Sequence, residues 1–373
     1  MMLRATVAFV IGVAITQTQT PPPAPQPPQA TPAAPASLEV GWRFDLTAAE
    51  EGQPVPWLVP GDTRVFVSGP RTGVSAHDAI DGKVAWTSDE PSAIPPVIAG
   101  SNVVLVGESE LRVLDQKTGQ VRFSAAIQGL PALAFSAFER IGVVVDSGIQ
   151  AWDLKGSPAW RAQLSGKPVT NAVMAGNVLV FGTDEPALVA FELATGAAAW
   201  KIPLTTRPSG LVATTSRIYF GGDDGALYSY RASGDPKHAF RSERIRTVGR
   251  PIVDSESVYF AFLDNSVRAF GADGGTQQWD QVVESRPLTG PLRLTDSLGV
   301  ALTNGRVVEL SPKTGKPLGP TSAMTTGSVR LLTAAAAPDG SRLYTITIAN
   351  DLSRTLAAWA RPPSPPGFGG QGR

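Results

Sequence analysis

A unit of about forty residues recurs along this chain, and such internal periodicity restricts the fold more than any other feature of a sequence. Ala190 to Trp200 reads AFELATGAAAW and Ala76 to Trp86 reads AHDAIDGKVAW. The shared skeleton is a small residue, an acid, a Thr-Gly or Asp-Gly pair, and a Trp four positions after the Gly. Val113 to Phe123 (VLDQKTGQVRF) replaces the Trp by Phe, Ala269 to Trp279 (AFGADGGTQQW) loses the acid, and Ala151 to Trp160 (AWDLKGSPAW) is one residue shorter. Tyr228 to Phe240 and Glu309 to Gly319 are degenerate copies. The turn glycines Gly82, Gly119, Gly156, Gly196, Gly234, Gly275 and Gly315 follow one another at intervals of 37 to 41 residues.

Ahead of each motif lie two short β-type runs, such as Val103–Val106, Val178–Phe181 and Val258–Phe260, many of them introduced by Pro. Each unit therefore reads as four strands: one led by Pro, one rich in β-branched residues, one carrying the acid and one carrying the aromatic. The Gly supplies the positive φ that the hairpin between the last two strands requires. One such sheet cannot bury both of its faces, so the copies must stack, and four-stranded sheets of this period stack radially into a β-propeller. The chain is predicted to be all-β, with four-stranded antiparallel blades over residues 42–360. That stretch divides into eight units of about 40.

Seven motifs are visible. Ser328 to Arg361 offers three more strands, and Trp42 to Leu46 is an orphan strand of the aromatic type; pairing the orphan with those three closes an eight-bladed ring and removes its free edges. Seven blades is the alternative. A rival register would complete the last blade locally with Ala349 to Trp359 (ANDLSRTLAAW). It fails because Arg354-Thr355 offers no glycine for the turn and Trp42 is left without a place.

The ends read differently. Residues 1–16 fit a signal peptide: Arg4 precedes an uncharged run from Ala5 to Ile15, too short for a spanning helix. Residues 17–41 form a Pro/Ala-rich linker, extended for want of backbone donors, and residues 361–373 a disordered tail. The expectation is export to the periplasm or beyond. With no Cys there is no acylated terminus, so a lipoprotein is not expected.

Composition narrows function. Thirty-two basic residues balance 32 acidic ones, which disfavours nucleic-acid binding, since that requires a cationic surplus. The absence of Cys excludes thiolate chemistry, and two His, His77 and His238, leave little for metal clusters or imidazole catalysis. The aromatics Trp42, Trp86, Phe123, Trp160, Trp200, Phe240 and Trp279 recur once per unit, which suits packing between blades rather than one ligand site. Asp78, Asp115, Asp153 and Glu192 recur likewise and suit the capping of turn N–H groups. Asp223-Asp224-Gly225 reads as a hairpin turn, lacking the further oxygens that Ca²⁺ needs.

The repeat resembles that of pyrroloquinoline-quinone-type propellers, over essentially residues 42–360. Two branches of that resemblance matter. Quinone-dependent alcohol dehydrogenases are longer and use Ca²⁺, an Asp and a vicinal Cys pair that this chain lacks. The BamB-like outer-membrane assembly scaffolds are short, exported, eight-bladed and closed by an N-terminal strand. The second branch implies a non-catalytic protein-interaction scaffold with envelope protein partners, no cofactor, no transmembrane segment and a monomeric state. A quinone-dependent or other small-ligand oxidoreductase using the central funnel is the alternative. The feature that least resembles a repeat is Arg241 to Arg250 (RSERIRTVGR), expected as a loop on one rim of the ring. Arg241, Arg244, Arg246 and Arg250, extended by Arg207 one blade earlier, form the candidate partner-binding patch. Guanidinium groups bind carboxylate-rich partners bidentately, and the scaffolds resemble this in using adjacent inter-blade loops for docking.

Overall fold

The computed structural model describes residues 38–362 except 49, 51–52, 71, 236–238, 243 and 324–328; of the side chains at 239–242 and 323 nothing is described. The expected signal peptide, most of the linker and residues 363–373 lie outside these, as does His238. Eight sheets of four antiparallel strands make up the fold, and the described residues contain no helix. Seven blades are sequential: residues 57–88, 97–126, 131–163, 173–203, 212–242, 247–282 and 292–323, called blades 1 to 7.

Blade 8 joins the two ends of the folded unit. Its inner strands are Val329–Ala336, Leu343–Ala349 and Arg354–Ala360, and Glu39–Leu46 pairs antiparallel with the last, Phe44 opposite Leu356. The turn before Arg354 is made without glycine, with Leu352 at φ 65°. Trp359 is the third-strand residue and not a motif aromatic: it is fully buried, its indole N–H donating to Thr345 Oγ1 at 2.9 Å.

The core lies between blades. Val104, Leu111 and Val113 of blade 2 pack against Ile141, Val143 and Trp152 of blade 3. Leu58, Val65 and Val67 of blade 1 do the same against Tyr344, Ile346 and Leu356 of blade 8, which closes the circle. Each interface places β-branched and aromatic side chains of one sheet on the next, burying both faces that a lone sheet would expose.

The motif aromatics supply a second inter-blade contact. Those whose side chains are described reach from the outermost strand of their own blade to the turn of the blade after it. Trp42, Trp86, Trp160, Trp200 and Trp279 donate their indole N–H to the carbonyls of Ala79, Gln116, Leu193, Ala232 and Pro312, at 2.8–3.1 Å. The ring lies on the turn glycine: a Cβ at Gly119 would sit 2.7 Å from the Trp86 indole. The glycine is thus required twice, for its φ of +72° and for the space the indole occupies. Blade 5 carries Phe240, whose side chain is not described. There the hydroxyl of Tyr219 donates to Ala272 O at 3.0 Å, the carbonyl placed like those above, three residues before Gly275.

The degenerate copy in blade 7 follows from the same rule. Four residues after Gly315 stands Gly319 instead of Trp. Blade 8, its neighbour, takes its fourth strand from the other end of the chain and so has no third-to-fourth turn for an indole to cover. The two ends of the folded unit occupy this place. Leu38 is buried and its carbonyl accepts from Ser322 Oγ at 2.6 Å. Arg361, assigned by composition to the tail, instead pairs with the buried Glu309 and donates to Ser297 Oγ at 3.2 Å. The folded unit therefore reaches a little past Trp42 and Ala360 at both ends.

Candidate partner-docking rim

Each connector between blades runs from the outermost strand of one sheet to the innermost strand of the next. It thereby crosses three strand spacings, about 14 Å. This geometry corrects the reading of Arg241 to Arg250 as a single rim loop. Arg241 lies in the outermost strand of blade 5, Ala239–Ser242, opposite Leu227, and its side chain is not described. Arg250 lies in the innermost strand of blade 6, Thr247–Val253. Among the described residues, only 244–246 lie in the connector between these two strands. Charge counted along the sequence runs through a stretch that the fold spreads along a radius.

Arg207 and Arg246 do come together, through Asp223. The Asp223 N–H donates to Arg207 O at 3.1 Å, and its carboxylate takes the Arg246 guanidinium at 2.5 Å. Arg244 is exposed at φ 59°, its backbone against the turn glycine Gly225. Arg250 stands where the inner strand bulges between Val248 and Ile252, its backbone and stem against Gly210 of blade 5 and Gly290 of blade 7. Its side chain is open to solvent yet walled by neighbouring blades, and burial lowers its pKa from the usual guanidinium value.

Sequence inspection missed two residues, Lys167 and Arg286. The carbonyls of Lys167, Arg207, Arg246 and Arg286 accept from the N–H groups of Asp184, Asp223, Leu263 and Thr303, at 2.9–3.1 Å, so the four positions are equivalent. All four side chains are exposed. In blade 3 the same bond, Asp146 N–H to Leu130 O, identifies Leu130, 68% exposed, as the counterpart. Ala93 N–H to Val106 O in blade 2 matches Val169 N–H to Gly182 O in blade 4, and by that offset Pro91 corresponds to Lys167. This connector position is therefore cationic in blades 4 to 7 and apolar in blades 2 and 3. A usable signal existed: Lys167-Pro168, Arg207-Pro208 and Arg286-Pro287 each place a cation before the strand-leading Pro.

The recurring acids serve the turns. Asp115 Oδ1 accepts from the N–H groups of Lys117 and Thr118, both at 2.9 Å, and Asp153 Oδ1 from Lys155 and Ser157 at 2.8 and 2.9 Å. The Arg122 guanidinium, with these N–H groups, holds the Asp115 carboxyl down at about 2. His77 is a packing residue, fully buried with its ring edge-on to Phe44. Among the described residues no three His, Asp or Glu side chains are grouped to hold a metal ion.

An eight-bladed propeller of a pyrroloquinoline-quinone-type repeat is the class of protein this architecture defines. The model of the family "Outer membrane protein assembly factor BamB" matches residues 33–145 and 138–367, and the chain belongs to that family. No curated protein matches it. Among solved structures, BamB from Moraxella catarrhalis is 16% identical with a TM-score of 0.65, the match covering 87% of this chain and 100% of that one. The computationally designed Ika8 protein is also 16% identical, with a TM-score of 0.69 over 86% of this chain and 99% of that one. Sqt1 from Saccharomyces cerevisiae, at 12% identity, has a TM-score of 0.64 over 87% and 99%. At such identities these likenesses establish the fold.

Proposed function

We propose that this protein is an exported, non-catalytic scaffold that holds envelope protein partners on the blade 4 to 7 rim and takes part in outer-membrane protein assembly. The observation that carries the reading is the commitment of the repeat residues: indoles cover turns, turn glycines make room for them, and repeat acids cap turn N–H groups. Outside these roles stands a row of exposed cations on connectors, three of them without an ion pair among the described residues, which suits recognition of carboxylate-bearing protein surfaces. Membership of the assembly-factor family supports the same reading. A quinone bound with Ca²⁺ at the hub fits the residues less well, because Asp78, Asp115 and Asp153 face turns and no acidic cluster stands elsewhere among the described residues.

Tagged protein purified from its native envelope tests the proposal. The expected result is stoichiometric co-purification of envelope proteins, abolished by reversing Arg207, Arg244 and Arg246 to Glu while the melting curve stays unchanged. Stoichiometric uptake of pyrroloquinoline quinone and Ca²⁺ with dye-linked alcohol oxidation would contradict it.

A further inference from the structure

Three of the four equivalent cations, Lys167, Arg207 and Arg286, differ from the acids beside them in one respect. The acids named next, among the described residues, all have partners. Asp184 Oδ1 accepts backbone N–H groups of Lys167 and Glu185, Asp224 takes the Tyr228 hydroxyl at 2.6 Å, and Asp223 takes Arg246. Glu185 pairs with Lys201 at 3.6 Å and Glu284 with Arg306 at 3.1 Å. Among the described residues, Lys167, Arg207 and Arg286 have no ion pair. Three of the four positions therefore hold exposed cations without an ion pair among the described residues, and the fourth, Arg246, is shared with Asp223.

The row has a pitch. Equivalent positions in neighbouring sheets are separated by the packing distance of sheets, about 10 Å. In a polyproline II segment every third side chain points the same way, and three residues advance about 9 Å. Carboxylates at every third position of such a segment match that spacing, and the segment curves with the ring as it passes from blade to blade; a chain already extended before it binds loses less entropy than a flexible one. An α-helix would need acids some six or seven residues apart to match that pitch. Nucleic acid is a poorer match, since phosphates lie closer together and carboxylates such as Asp184, Asp224 and Glu284 stand beside the row.

We propose that the blade 4 to 7 rim binds an extended acidic segment of a partner protein, with carboxylates three residues apart seated on Lys167, Arg207, Arg246 and Arg286. The inference rests on the scaffold reading and specifies the chemistry of its partner. The apolar counterparts Leu130 and Pro91 mark where the acidic stretch ends.

The test is anisotropy of a fluorescein-labelled peptide of four Glu-Pro-Pro repeats, titrated with the full chain at low salt. The expected result is saturable binding that weakens with added salt. Either Arg207→Glu or Arg286→Glu should reduce affinity at least about tenfold, because the new carboxylate faces another. Lys155→Glu, on the opposite face, should leave it unchanged. A peptide with its four Glu contiguous should bind about tenfold more weakly. Leu130→Arg extends the row, and a peptide of five repeats should then bind more tightly than it does to the unaltered chain. Any of three outcomes would overturn the proposal: no saturable peptide binding, binding indifferent to the two reversals, or capture by anionic lipid vesicles in place of the peptide. Should the peptide fail while co-purification with envelope proteins persists, the row proposal falls and the scaffold reading stands.

Discussion

Gly119 and Trp86 isolate the contact on which the ring depends. Gly119→Ala places a methyl 2.7 Å from the indole, at a φ of +72°. The left-handed backbone costs about 1–2 kcal/mol, and pressing a methyl into a packed ring costs about 1–3 kcal/mol more. Trp86→Ala removes a half-buried indole and its 3.0 Å bond to Gln116 O. Full burial would make that loss about 3–5 kcal/mol, and half-burial lowers it to about 2–3 kcal/mol. With the indole gone, the added methyl meets open space and only the backbone cost remains. The double variant should therefore be more stable than the sum of the singles implies by about 1–3 kcal/mol. Urea unfolding followed by far-ultraviolet circular dichroism, which does not depend on the deleted Trp, measures all four corners. Additivity within about 0.5 kcal/mol would refute the claim that the glycine is reserved for the indole.

Three further outcomes are expected. Tyr219→Phe deletes the hydroxyl that bonds Ala272 O and should cost about 1–2 kcal/mol, whereas Tyr230→Phe, whose hydroxyl has no hydrogen-bond partner among the described residues, should cost under about 0.5 kcal/mol in the same urea assay. Arg361→Ala leaves the buried Glu309 carboxylate without its cation and should cost about 3 kcal/mol, most of which Glu309→Gln in the same chain should restore. His77 Nδ1–H donates to Gly82 O at 3.1 Å, its Nε2 lies 3.0 Å from the Ser75 hydroxyl, and burial lowers its pKa below 6.5. The unfolded chain takes up the proton first. Stability should be full above pH 6.5 and fall as the pH drops towards the folded pKa, a slope absent from His77→Gln in urea midpoints across that range.

The blade architecture was legible because period, Pro-led strands and turn glycines report local backbone geometry. Closure was legible for a different reason: Trp42 had no turn in its own vicinity, and Arg354-Thr355 could not make one. Several features were not legible in one unit taken alone. Gly119 reads as a φ requirement until Trp86 of the preceding blade is seen on it. Gly319 reads as decay until blade 8 proves to have no turn to cover. Tyr219 stands in a second strand, distant from the motif whose missing bond it replaces. The candidate patch was half legible, because Arg207 and Arg246 are equivalent positions separated by the four strands of blade 5. Their companions Lys167 and Arg286 emerge only when backbone bonds align the blades, and Arg241 and Arg250 separate only when the connector is seen to run along a radius.

The most direct test of the central claim is a hydrogen-exchange footprint of the protein with and without a co-purified envelope partner. Slowed exchange in the connectors bearing Lys167, Arg207, Arg246 and Arg286, with the turns around Gly82 to Gly315 unchanged, is the predicted result. Protection confined to those turns or to the outer strands, with the connectors exchanging as before, would contradict it.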